Sequence, residues 1–120
     1  MENIELSRAE LEVMQVLWRA DKPLKIQEVM DGLKVGKWKY NTVGTLLLRM
    51  EEKHAVTSEK IGRTIYYTSV LNEAEYIKQQ TKSFIKRLYN GSAKDLAVSL
   101  FRDDAMSEED IAEIREMFEL

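Results

Sequence analysis

The chain has 120 residues, 44% apolar and 32% charged, with a net charge of −3, no cysteine and a single histidine, His54. That length holds one ordinary domain, or a small domain with a helical appendage, and excludes two independent large domains. The missing thiols exclude disulfides, thiolate metal clusters and cysteine nucleophiles; no run is apolar enough to cross a membrane, and Met1–Glu5 carries acids where a secretory signal needs a basic region, so a cytoplasmic location is expected.

Ser7-Arg8-Ala9-Glu10 reads as a capping box, and Leu11, Met14, Leu17 and Trp18 follow at helical spacing, which predicts a first helix to about Ala20. Asp21-Lys22-Pro23 ends it. A short second helix presents Ile26, Val29, Met30 and Leu33 on one face, loosening between Gly32 and Gly36. A third, from about Tyr40 to Lys53, has Val43, Leu46, Leu47 and Met50 as its inward stripe. Its other side carries Asn41, Thr42, Gly44, Thr45, Leu48 and Arg49, a face short enough to lie close against another surface. Leu48 reads two ways, as a contact to a thymine methyl or as one more core residue. The period then changes: residues 55–59 and 64–68 are rich in β-branched and aromatic side chains and flank a turn-like, basic stretch from Lys60 to Arg63.

Beyond Val70 helix signals return. A long helix with Ile77, Thr81, Phe84, Ile85 and Leu88 inward ends at Asn90-Gly91; a fifth, from Ser92 to Arg102, carries Leu96, Leu100 and Phe101. The last starts at Ser107-Glu108-Glu109-Asp110, read as a cap and not as a metal site, and presents Ile111, Ile114, Met117 and Phe118. The expected fold is mainly α with a small β-hairpin wing, a winged helix-turn-helix over 1–70 followed by a helical dimerisation segment over 71–120. Three helices in about fifty residues cannot bury that much apolar surface alone, so a two-fold homodimer is expected, joined through Ile77, Phe84, Ile85, Leu88, Leu96, Leu100, Phe101, Ile111, Ile114 and Phe118.

Charge points to the partner. Residues 1–70 are net +1 and residues 71–120 net −4, while the window Lys34–Arg63 alone is net +4. Such clustering suits a surface facing DNA phosphates. Asn41, Thr42, Thr45 and Arg49 are of a size to meet base edges or groove phosphates; Lys37 and Lys39 precede that helix, and Lys60 and Arg63 sit at the hairpin tip. Trp18 and Trp38 read as packing residues, and His54 as a surface residue at a helix end. No nucleophile-base pair, phosphate loop or metal-ligand set is present, so neither an enzyme nor a cofactor is expected. The competing reading is a winged-helix module for protein contacts, with the acidic C-terminal half as its working surface.

Three segments carry a resemblance. Ser7 to Trp18, with its acidic-apolar pattern ending in Leu17-Trp18, resembles the opening helix of the penicillinase and methicillin-resistance repressor family (the BlaI/MecI group). Trp38 to Met50 is similar to that family's recognition helix, and Gly62-Arg63 followed by Tyr66-Tyr67 to its wing; Tyr76 and the Phe84, Leu88, Gly91-Ser92 spacing resemble its dimerisation region. The resemblance implies a transcriptional repressor that binds a palindromic, inverted-repeat operator in double-stranded DNA as a homodimer, released by an inducing signal, with a sensor-linked protease as a further candidate partner. Two departures stand out. Family members that respond to β-lactams are cut at an Asn-Phe bond where this chain has Leu100-Phe101, and the copper-responsive relatives carry a C-terminal cysteine cluster that this chain lacks. A basic residue is also frequent in the family where Gly44 stands here, which leaves operator preference open.

Overall fold

The first helix begins where Ser7, in extended backbone, accepts a hydrogen bond from the Glu10 amide and its own amide donates to Glu10 Oε1 at 2.8 Å. This is the capping box expected from the sequence, and it satisfies two amides that would otherwise lack partners. The computed structural model describes residues 4–119; Met1–Asn3, part of the acidic start read against a secretory signal, lie outside them. Along the chain follow α1 (Arg8–Ala20), α2 (Ile26–Asp31), α3 (Tyr40–Glu52), β1 (Val56–Ile61), β2 (Thr64–Ser69), α4 (Glu73–Leu88), α5 (Ala93–Arg102) and α6 (Glu108–Phe118). The chain divides into two compact units, one ending at Glu73 and the other beginning at Ala74.

The core of the first unit is the set of inward stripes set by helical period. Val13, Met14 and Leu17 of α1, Val29 of α2, and Val43, Leu46, Leu47 and Met50 of α3 are buried, together with Leu24, Val56 and Tyr67. The end of α2 comes so close to α1 that a Cβ added at Gly32 would lie 2.6 Å from Val16 Cγ1. A glycine is therefore required there by packing and not by backbone angle.

β1 and β2 pair antiparallel from Val56↔Ser69 to Ile61↔Thr64, leaving Gly62-Arg63 as the turn. The sequence reading placed Lys60 and Ile61 in the turn; they are instead the last residues of β1. Gly62, with φ +66, takes the first central position of the turn, while Arg63 needs no positive φ. Two-residue turns of that kind match the strand twist and let pairing continue to the tip. Leu24 adds an isolated bridge to the sheet: its amide donates to Tyr67 O at 2.9 Å, and the Tyr67 amide donates back to Leu24 O at 2.8 Å. Three helices with a hairpin laced to the α1–α2 connection form a winged helix-turn-helix.

In the second unit α4 gives way to left-handed backbone at Asn90 and Gly91, and Ser92 then caps α5 by accepting from the Asp95 amide. Ser107 and Asp110 form a second full capping box at α6. Among the described residues no helix is long and apolar enough to cross a membrane.

Candidate nucleic-acid interface

Burial of Val43, Leu46, Leu47 and Met50 fixes the rotation of α3, and the same rotation turns Asn41, Thr42, Thr45, Leu48 and Arg49 to solvent. Asn41, Thr45 and Leu48 stand at i, i+4 and i+7, one above the other, with Thr42 and Arg49 alongside. Of the two readings of Leu48, the core one fails: the side chain is 54% exposed. Tyr40, which the sequence reading took only as a helix start, is equally exposed beside Asn41; its position one residue before the polar stripe was the signal available. Thr45 spends its hydroxyl proton on Asn41 O at 2.9 Å, so toward a ligand it offers a lone pair and a methyl group.

The C-terminal end of α3 is tied to the wing. The His54 amide donates to Glu51 O at 3.0 Å and the Ala55 amide to Met50 O at 2.9 Å, a Schellman ending in which His54, at φ +65, takes the position usually held by glycine. Ser58 Oγ of β1 donates to Glu51 Oε2 of α3. Helix and hairpin are thus tied together, and the polar face of α3 and the Gly62-Arg63 turn belong to one compact unit. Burial, reinforced by Glu51 and Tyr40, pushes the Tyr67 hydroxyl above its usual range and keeps it protonated at the root of that hairpin.

The cations of the 34–63 window separate into two groups. Lys53 Nζ pairs with Glu10 Oε1 at 2.6 Å and donates to Glu5 O, so it clamps α3 to the start of α1. Burial of Glu10 alone would raise its pKa, but hydrogen bonds from Lys53 and Ser7 outweigh it and hold the carboxyl below its ordinary value of 4.5. Lys37 is partnered too: its Nζ lies 3.1 Å from Glu12 Oε1 and 5.2 Å from the centre of the half-buried Trp38 ring. Lys34, Lys39, Arg49, Lys60 and Arg63, by contrast, are exposed and form no ion pair among the described residues. Trp18 keeps the packing role expected of it, half-buried with its Nε1 donating to Leu71 O at 2.9 Å.

The penicillinase repressor family profile matches residues 6–119, nearly the whole chain. The chain belongs to the penicillinase repressor family. Among relatives, the penicillinase repressor of Bacillus licheniformis is 35% identical over 116 residues, covering 96% of this chain and 90% of its own length. The methicillin resistance regulatory protein MecI of Staphylococcus aureus is 27% identical over 112 residues, covering 92% and 90%. Two solved structures align with 37% identity over 62% of this chain and 92% of theirs: the DNA-binding domain of the repressor BlaI, with a TM-score of 0.54, and monomeric Bacillus licheniformis BlaI in complex with the blaP half-operator, with a TM-score of 0.52. The winged-helix fold and the family resemblance read from the sequence both hold, and a family of repressors agrees with the reading that the chain is no enzyme.

In this penicillinase repressor family member the apolar side chains of the second unit lie open on the single chain. Ile77 and Leu88 of α4 are more than half exposed; Phe84, Leu100, Phe101 and Phe118 are exposed, and Ile85, Leu96, Ile111 and Ile114 half-buried. The sequence reading turned the α4 stripe inward, yet within one chain only Tyr76 of that helix is buried. Met117, 72% exposed, joins the open set, which the sequence reading did not include among the contact residues.

Proposed function

We propose that this protein is a transcriptional repressor that binds operator DNA with the outward face of α3 in the major groove and the hairpin turn against the backbone. The observation that carries the reading is the rotation of α3: the face with Asn41, Thr42, Thr45 and Arg49 is solvent-exposed on a helix whose opposite stripe is buried, in a chain of this family. The half-operator complex of the 37% identical BlaI supports DNA as the ligand. Asn41, Thr42, Thr45 and Arg49 are assigned to base edges and groove phosphates, and Lys39, Lys60 and Arg63 to phosphates or the minor groove. Lys37 joins them only by exchanging Glu12 for a phosphate.

The open apolar faces of α4, α5 and α6 support a homodimer, which would present two copies of α3 to an inverted repeat with half-site centres roughly 34–36 Å apart. A signal that loosens those helices lowers operator affinity without touching a base contact. A sensor-linked protease is one source of such a signal, although Leu100-Phe101 is not the bond cut in the β-lactam-responsive members. Fluorescence anisotropy on duplexes of differing sequence and salt tests the assignment. Arg63→Ala is expected to weaken binding to every duplex and to reduce the salt slope by about one, while Thr45→Ala changes the order of preference. Intact binding by both variants would remove the assigned face.

A further inference from the structure

Gly44 sits in the middle of α3 without a reason in the packing. Its φ is not positive, and a Cβ added there would meet only Ile26 Cδ1, at 3.5 Å, an ordinary contact. An alanine would fit and would favour the helix. The glycine is half-buried at the edge of the outward face, between Ile26 of α2 and the exposed Thr45 and Leu48. Long helical side chains lean toward the N-terminal turn, which for Leu48 is the turn holding Gly44, four residues earlier. Leu48 is 54% exposed. Thr45, exposed next to the glycine, has spent its hydroxyl proton on Asn41 O at 2.9 Å, so it offers a ligand no donor but an acceptor lone pair and its methyl. The Leu48 isobutyl group and the Thr45 methyl are thus apolar groups beside side-chain-free backbone on an otherwise polar face.

We propose that Gly44, Thr45 and Leu48 form a seat for the 5-methyl group of a pyrimidine in the major groove, so that this chain selects thymine at one position of each half-site by its methyl and not by a hydrogen bond. The inference rests on the repressor reading above and adds the base and the atom that are read. Thymine is the base that displays an apolar group on the major-groove floor, and apolar side-chain contact reads it. Lys39 and Arg49, exposed near the two ends of α3, suit the flanking phosphates and hold the helix against that floor.

The test takes the full-length protein and duplexes that it enriches from a randomised pool. Each thymine of an enriched duplex is replaced in turn by deoxyuridine, which removes the methyl and nothing else. The wild type is expected to lose about fourfold in affinity at one position per half-site, the worth of one buried methyl-sized group. At that position 5-methylcytosine should bind better than cytosine by a similar factor. Leu48→Ala should abolish both differences. Gly44→Ala should raise the melting temperature by roughly 4 °C while also abolishing them, a pairing that a purely structural glycine does not produce. A wild type that enriches duplexes but is indifferent to every thymine methyl overturns the seat alone, as do variants that keep the wild-type sensitivity. A wild type that retains no duplex overturns the repressor reading and the seat with it.

Discussion

At the scale of single residues, two groups show how α3 is held. Glu10 is buried and serves at once as capping partner of Ser7 and ion-pair partner of Lys53, while its Oε2 has no hydrogen-bond partner among the described residues. Because the folded-state pKa lies below the ordinary 4.5, the contribution is complete above about pH 4.5 and is lost as pH falls through the lowered value. Glu10→Gln should lower stability at neutral pH by about 1–3 kcal/mol and flatten the acid limb of a urea-denaturation series; an unchanged acid limb would mean that Glu10 is not the group responsible. His54 illustrates the opposite economy, a non-glycine residue in left-handed backbone at the end of α3. His54→Gly should gain about 1 kcal/mol by removing that strain, read as a higher denaturation midpoint with DNA affinity unchanged.

At the scale of elements, what was legible in the sequence was local. Ser7, Ser92 and Ser107 announce helix starts because a cap and the amide it satisfies lie three residues apart. The inward stripe of α3 follows from period alone, and its outward face from what is left. The end of β1 was misread because a two-residue turn needs only Gly62-Arg63, and nothing in Lys60 or Ile61 marks them as turn residues. Lys37 and Lys53 looked like members of one basic surface, but their partners Glu12 and Glu10 lie 25 and 43 residues away and meet them only in the fold. Two element-level outcomes follow. Gly32→Ala should destabilise by about 1–3 kcal/mol, since the β-branched, buried Val16 cannot yield easily where α2 meets α1; thermal unfolding checks it, and an unchanged midpoint would show that the two helices separate freely. Glu12→Gln should release Lys37, tightening DNA binding by roughly threefold or less and steepening its salt dependence by about one; anisotropy titrations at several salt concentrations would expose a Lys37 that takes no part.

At the scale of the whole molecule, the division of charge and apolarity along the chain maps onto two tasks. The net-positive window Lys34–Arg63 lies in the winged helix, whereas residues 71–120 are net −4 and leave Ile77, Leu88, Met117 and Phe118 more than half exposed. A chain that keeps such side chains in water gains by covering them, and a second copy offers the same surface in return. Phe84 and Leu88 lie one helical turn apart on α4, so Leu88→Asp should split the proposed pair while leaving each winged helix folded and able to hold a half-site weakly. The decisive measurement is the stoichiometry and spacing dependence of binding to an inverted repeat, followed by sedimentation of protein with duplex. Two chains per duplex are expected, with joint binding lost when about five base pairs are inserted between the half-sites. One chain per duplex, or binding indifferent to that half-turn, would contradict a rigid pair of α3 helices reading successive grooves.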